Sequence, residues 1–372
     1  MSQRENVNPI REQNHRKSSR RYQKRAAAKR RRNTIFIMEI VLLLILAVVL
    51  FFMSKLSKIE KTKLDMDKIE VNEDISQESR KIMKGYQTIA MFGLDNRSNG
   101  NLSQGRSDVI MLANINNDTK EVKLVSVYRD TYLDTGDGIF QKCNAAYAKG
   151  GPEQAISMLN VNLDLNITDY VTVDFNSIIE CVDLLGGVDM EITDDEASLM
   201  TGYIRELNEL TGNKAENLTQ GGTYTLNGVQ ACAYARIRYG GGDDYRRTER
   251  QRTVLTAMVK KAQQSDLTTV NKLINEVCGD IQTSFSNAEL LALASQVFQY
   301  SIGDTTGFPF TKTTKVLSKK TGDVVIPCDL SDNVKELHIF LYEDSAYTVS
   351  DTVKQNSEKI VSDTGFKSGD GH

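Results

Sequence analysis

Three apolar runs decide the fold: Thr88-Ile-Ala-Met-Phe-Gly-Leu94, Val109-Ile-Met-Leu-Ala113 and Val122-Lys-Leu-Val-Ser-Val127. Each is short, rich in Val, Ile, Leu or Met, and reads as a buried strand, with Asn116-Asn-Asp118 marking the turn between the last two. Three strands in succession imply a sheet core. Further along, Gly150-Gly151-Pro152 opens a helix through Leu159 with Pro at its first position. Tyr170 to Phe175 reads as a strand, Asn176 to Leu185 as a helix stopped by Gly186-Gly187, and Val188 to Ile192 as a strand. Asn227 is a plausible N-cap for residues 228–238, whose pattern suits helix or strand, and Arg246 to Gln264 reads as a helix. Helices are expected to dominate from Leu267 to Phe298, followed by a strand around Val324-Val-Ile326, a helix over Val334 to Leu341 and a polar tail over 346–372. This alternation predicts an α/β fold: a single domain over residues 86–345 with a central mixed β-sheet covered by helices on both faces.

Before that domain the chain changes character. Of the 372 residues, the first 33 carry 12 Lys and Arg against 2 acidic residues, a balance of +10, whereas the whole chain has a formal net charge of -3. The arm therefore precedes a mildly acidic body. From Ile35 to Met53 follow 19 residues with one ionisable side chain, Glu39, near the start. At 1.5 Å per residue that run matches a hydrocarbon core of about 30 Å. It is long for a signal peptide and no small-x-small cleavage site follows, so it reads as an anchor. Lys29, Arg30, Arg31 and Arg32 immediately precede it, while the far flank mixes Lys55 and Lys58 with Glu60 and Asp65. The positive-inside rule then gives a basic cytoplasmic arm (1–34), a single transmembrane helix (35–53), a stalk (54–85) and a domain outside the cell membrane. The arm's charges suit anionic membrane lipids, and no nucleic-acid partner is expected because no helix-turn-helix accompanies them.

Composition also excludes chemistry. The three histidines, His15, His338 and His372, are too scattered for a His-based triad or an HExxH zinc site. The five cysteines never form CxxC; Cys143, Cys181 and Cys232 read as small core residues, and Cys278 and Cys328 flank the last third at a spacing that leaves a disulfide open.

Charged residues gather at the strand ends. Asp95 and Arg97 follow the first run, Arg106 and Asp108 precede the second, and Arg129 and Asp130 follow the third. If the second strand runs antiparallel to its neighbours, all six share one rim of the sheet, where open α/β sheets bind ligands. Carboxylates beside guanidinium groups fit Mg²⁺ and a pyrophosphate: hard oxygens hold the cation and planar forks bind phosphate oxygens. A second cluster holds Arg236 and Arg238, then Asp244, Arg247 and Gln251, the last three spaced i, i+3, i+7 on one helical face.

The segments GLDNR, RSDVIML, LVSVYRDTYL, KCNAAYAKGG, ITDYVTVDF, DLLGGVDMEI, YARIRY and DDYRRTERQ, in this order over residues 86 to about 262, resemble the LytR-CpsA-Psr (LCP) family of cell-envelope phosphotransferases. The resemblance implies an α/β fold, Mg²⁺ as cofactor, and transfer of a glycopolymer from a polyprenyl-pyrophosphate carrier to a peptidoglycan sugar hydroxyl. It places the metal on Asp95 and Asp108 and the pyrophosphate on Arg97, Arg106, Arg129, Arg236, Arg238, Arg247 and Gln251. Among these, Arg106 and Arg129 act in catalysis, and either Asp130 or Asp244 accepts the hydroxyl proton. Two positions depart from the family: Tyr128 stands where Pro usually precedes the Arg-Asp pair, and Arg246 where Gly often precedes the arginine of the last motif. Apolar residues such as Ile178 to Leu185 either pack a core or line a prenyl tunnel. A polyprenyl-pyrophosphate hydrolase, or a noncatalytic envelope-binding or signalling protein, is the alternative reading.

Overall fold

The computed structural model describes residues 60–61, 64–94, 102, 105–136, 138–238, 243–266, 269, 272–273 and 281–371. The basic arm, the apolar run 35–53, Asp95, Arg97 and Cys278 lie outside the described residues, among which no helix is long and apolar enough to cross a membrane.

The chain joins the sheet at β1 (Glu60–Lys61). The three apolar runs become β2 (Tyr86–Leu94), β3 (Ser107–Asn116) and β4 (Glu121–Val127). Two short strands, β5 (Tyr132–Asp134) and β6 (Phe140–Lys142), form a separate hairpin, and β7 (Asp169–Asp174) returns to the sheet. Later come the pair β8 (Val188–Ile192) and β9 (Gly222–Leu226), then β10 (Ile281–Thr283), β11 (Ser301–Phe308), and the hairpin β12 (Lys312–Ser318) and β13 (Gly322–Pro327). The sheet order is β1-β10-β7-β2-β3-β4-β11. β3 is antiparallel to both its neighbours, β2 and β4, while β7 runs parallel to β2 and β11 parallel to β4.

Period-two alternation sends each run to both faces, which is why the runs look continuously apolar. Ala90, Phe92, Leu94, Ile110, Leu112, Val125 and Val127 enter one core. They meet α2 (Ala145–Leu163), α8 (Leu330–Tyr342) and α9 (Asp351–Thr364), while α1 (Gln77–Met83) adds Met83 to the same core. Ile89, Met111, Ala113, Ile115, Val122 and Leu124 face the other side, against Phe285, Leu255 of α6 (Asp243–Gln264) and Leu290 of α7 (Asn287–Ser295). A third cluster joins α3 (Phe175–Leu184), α4 (Asp194–Thr211) and α5 (Gly228–Arg236) with β8 and β9. Residues 228–236 are helical because Asn227 and Gln230 form a capping box. Gly228 is required there: a Cβ would stand 2.1 Å from the Ile179 carbonyl oxygen.

Three expectations are corrected. The helical stretch from 267 to 298 is interrupted by β10, whose Gln282 and Thr283 are buried where it pairs with β7. The stalk gives way within 54–85, since Ile69, Ile75 and Met83 belong to the main core. The segment 346–372 is not a polar tail: Ser350 caps α9, and Val353 and Ile360 are fully buried against the core. Cys143 and Cys232 are buried as expected, Cys181 is half-buried, and Cys328 is a buried free thiol.

The C-terminal helices are locked by buried polar groups. Asp164 accepts hydrogen bonds from Tyr347 Oη at 2.7 Å and the Ser350 amide at 2.8 Å. His338 stacks on Tyr347 with ring centroids 3.6 Å apart and its Nε2 lies 3.0 Å from the Leu163 carbonyl oxygen. Burial pushes the His338 pKa down from 6.5 to about 4. Between those values the unfolded chain binds a proton that the native chain refuses, so His338 stabilises fully above about pH 6.5 and progressively less as pH falls toward 4. The expected loss is on the order of 3 kcal/mol. The full loss is reached only below about pH 4, so urea unfolding at pH 7 and pH 5 should differ by about 2 kcal/mol, and the difference should shrink in His338→Leu; an undiminished difference would place the acid sensitivity elsewhere.

Candidate active site

The sheet directions bring the ends of β2, β4, β7 and β11 to one rim together with the start of β3. The antiparallel β3 assumed from the sequence is therefore present, and Asp108 lies beside the turn that follows β4. That turn is rigid: Tyr128 O accepts from the Thr131 amide at 2.9 Å and from Thr131 Oγ1 at 2.6 Å, and Arg129 O accepts from the Asn144 amide at 3.1 Å.

Arg129 is the hub. Its Nη1 donates to Asp108 Oδ1 at 2.7 Å, and its Nε lies 3.7 Å from Asp244 Oδ1 and 3.8 Å from Asp130 Oδ2. Burial disfavours its charge, but Asp108, Asp130 and Asp244 together outweigh burial and raise its pKa. Arg247 Nη2 lies 2.7 Å from Asp244 Oδ1 and 3.4 Å from the Asp108 carbonyl oxygen. Arg238 Nη2 approaches Asp108 Oδ2 at 3.8 Å, and Lys142 Nζ approaches Asp130 Oδ1 at 3.1 Å. Asp244, Arg247 and Gln251 thus share the face of α6 that their spacing predicted.

The arrangement is incomplete in a telling way. Arg129 Nε, Arg247 Nε, Asp244 Oδ2 and Gln251 Oε1 are all buried without a hydrogen-bond partner. Arg247 is only 2% exposed, and burial lowers its pKa to about 10, with Arg129 and Arg238 adding to the fall and Asp244 opposing it. Buried polar groups normally find partners, and a buried cation facing two others calls for an anion. These four polar atoms without hydrogen-bond partners, on side chains of which three are ion-paired, leave donors for a polyanion and an acceptor for a proton or cation.

The remaining expected residues fall at different distances from this hub. Arg106 is exposed immediately before β3. Arg236 pairs with Glu206 at 3.2 Å and lies 5.1 Å from the Phe175 ring and 5.9 Å from the Tyr203 ring. It is not joined to the carboxylates of Asp108, Asp130 or Asp244 among the described contacts. Sequence reasoning missed Lys142, although it stands in KCNAAYAKGG, because only the β6 hairpin brings it to Asp130.

An apolar cavity of about 110 Å³ adjoins the rim. Phe92, Leu94, Phe175, Ile178, Ala235 and Val254 line it, and Gln251 lines it too, linking it to the charged hub. Of the helix 176–185 proposed for a tunnel, Ile178 reaches this cavity whereas Ile179 and Val182 pack the third core.

For Mg²⁺, the donor chemistry fits in that hard carboxylate oxygens are present: Asp244 Oδ2 has no partner, while Asp108 Oδ1 and Oδ2 face Arg129 and Arg238 and would exchange those contacts for the ion. No group of three or more candidate metal ligands occurs among the described residues.

The family model of the LytR_cpsA_psr family matches residues 46–315, well over half of the chain. The chain belongs to the LytR_cpsA_psr family. Among curated relatives, it is 30% identical over 210 residues to the polyisoprenyl-teichoic acid–peptidoglycan teichoic acid transferase TagU of Enterococcus faecalis, covering 56% of this chain and 64% of that protein. It is also 30% identical over 195 residues to the corresponding TagV transferase of Bacillus subtilis, covering 51% and 48% respectively. The matches thus span between about half and two thirds of those relatives' length. The fold resembles that of the Bacillus subtilis family protein YwtF (TagT) solved with octaprenyl pyrophosphate lipid, with a TM-score of 0.53, 21% identity and coverage of 75% of this chain and 99% of that one.

Proposed function

We propose that this LytR_cpsA_psr protein is a membrane-anchored phosphotransferase that moves a glycopolymer from a polyprenyl-pyrophosphate carrier to a peptidoglycan sugar hydroxyl. The observation that carries the reading is the set of buried polar atoms without hydrogen-bond partners on Arg129, Arg247, Asp244 and Gln251, the last of which also lines the apolar cavity. A ligand that completes both halves has an anionic head and a hydrocarbon tail. The names of the relatives and the lipid bound to YwtF describe ligands of that chemistry.

Arg129, Arg238 and Arg247, with Arg106 at the exposed edge, would bind the pyrophosphate and neutralise charge that grows on it during transfer. Arg236 would join them by leaving Glu206, and Arg97 lies next in sequence to the same rim. Asp95 and Asp108 would hold Mg²⁺, which supplies charge neutralisation and geometry at the phosphates when bound. The acceptor hydroxyl attacks the phosphorus bonded to the polymer; a new oxygen–phosphorus bond forms, the bond to the bridging oxygen breaks, and polyprenyl phosphate leaves. Each candidate carboxylate sits against two cations, Asp244 against Arg247 and Arg129 and Asp130 against Lys142 and Arg129, and the unpartnered Oδ2 of Asp244 assigns the hydroxyl proton to Asp244.

The full chain, incubated with Mg²⁺, a lipid-pyrophosphate-linked saccharide and peptidoglycan oligomers, should yield saccharide attached to peptidoglycan through a phosphodiester, read by mass analysis. Free saccharide phosphate alone would instead establish the hydrolase. The anchor of residues 35–53 places the domain outside the cell membrane, so a reporter fused after residue 372 should be active only there. Activity inside the cytoplasm would overturn this orientation.

A further inference from the structure

We propose that Lys312, through the rings of Tyr128 and Tyr245, is a positioning residue for the pyrophosphate site. This rests on the transferase reading for its ligand class, and it assigns a role to the segment that follows β11.

Tyr128 immediately precedes Arg129, at the end of β4; Tyr245 immediately follows Asp244, at the start of α6. Their rings meet edge to face, with centroids 4.5 Å apart and planes at 61°. The ring pair therefore sets the spacing between two elements whose charged residues must meet. Across that junction Arg129 Nε and Asp244 Oδ1 are 3.7 Å apart. Lys312 Nζ lies 4.8 Å from the Tyr245 ring centroid and 5.5 Å from that of Tyr128, so a single ammonium covers both faces. It also donates to the Phe310 carbonyl oxygen at 3.2 Å, which fixes it to its own backbone. Cation–π contacts strengthen when water is excluded, and burial here lowers the Lys312 pKa.

The backbone explains the departure at position 128. The Tyr128 amide donates to Phe308 O at 3.0 Å, extending the parallel pairing of β4 with β11. Proline has no such donor. The ring also needs room: a Cβ on Gly307 would lie 2.1 Å from Tyr128 Oη. Tyrosine at 128, glycine at 307 and lysine at 312 form one device that ties the strand leading to Arg129 to the strand leading to Lys312.

The test uses the full chain and inorganic pyrophosphate with Mg²⁺ as the probe, titrated calorimetrically, with transfer measured in parallel. Lys312→Met keeps the aliphatic stem and removes the cation; it should weaken pyrophosphate binding and lower kcat by about tenfold each, with the melting temperature within a few degrees of the parent. Lys312→Arg should restore both, since guanidinium also binds ring faces. Tyr245→Leu leaves every charge in place and should reproduce the loss, whereas Tyr245→Phe should not. Parent-like binding in Lys312→Met, failure of Lys312→Arg to restore, or parent-like binding in Tyr245→Leu would each overturn the proposal; the last would make Lys312 a direct ligand instead. A parent that binds pyrophosphate but transfers nothing defeats the transferase reading alone, because the binding series still tests the clamp.

Discussion

Replacing Arg129 by lysine is expected to lower the rate of transfer about a hundredfold or more while leaving the melting temperature within a few degrees of the parent. Among the described residues Arg129 alone approaches the carboxylates of Asp108, Asp244 and Asp130, at 2.7, 3.7 and 3.8 Å. A lysine keeps the charge but concentrates it on one nitrogen, which can hold one of these partners and not the set. Its Nε, buried and unpartnered, is also the donor most available to a phosphate oxygen. Arg129→Ala should behave differently: it leaves three carboxylates facing one another with less cation among them, so stability falls along with activity. Arg246 is the internal control, since it is exposed on the same helix as Arg247 and Arg246→Lys should change nothing. Steady-state transfer rates and thermal melts on the three variants decide the matter, and an Arg129→Lys enzyme within threefold of the parent would remove Arg129 from its central role.

How much of this was legible in the sequence depends on whether the signal was local. β2, β3 and β4 announce themselves because burial on both faces leaves no polar alternation. β11 does not: Ser301–Phe308 carries Gly303, Gly307 and Asp304, and becomes a strand only through its partner β4. α9 was hidden because its buried face includes Asn356, Ser357 and Thr364 beside Val353 and Ile360. At the site, Asp244, Arg247 and Gln251 were readable since helical spacing is a local rule. Arg236 and Arg238 illustrate its limit. Residues two apart do not share a helical face; α5 ends at Arg236, and the two side chains find different partners, Glu206 and Asp108. Lys142 and Lys312 reach the rim from β6 and β12, and no spacing rule joins those strands to Arg129.

Filling the apolar cavity should separate its two readings by sign. Ala235 lines it, so Ala235→Phe places an aromatic ring in a space of about 110 Å³. Were the cavity a packing defect, the ring would bury apolar surface, raise or preserve the melting temperature and leave the reaction untouched. Were it the seat of the prenyl chain, the ring would compete with the substrate. Each methylene kept out of the protein costs about 0.8 kcal/mol, so excluding two already exceeds the 1.4 kcal/mol that makes a tenfold change in affinity. The expected result is a rise of about tenfold or more in KM for a long-chain polyprenyl donor, with a much smaller effect on a donor of one or two isoprene units. Binding of inorganic pyrophosphate should be unchanged, because Arg129 and Arg247 do not line the cavity. Gln251 makes this a demanding test, since it lines the cavity and belongs to the charged hub; lost pyrophosphate binding would show that the ring had displaced Gln251 rather than the lipid. A long-chain donor handled as in the parent, together with a raised melting temperature, would leave the cavity as ordinary core and move the lipid's path elsewhere on the domain.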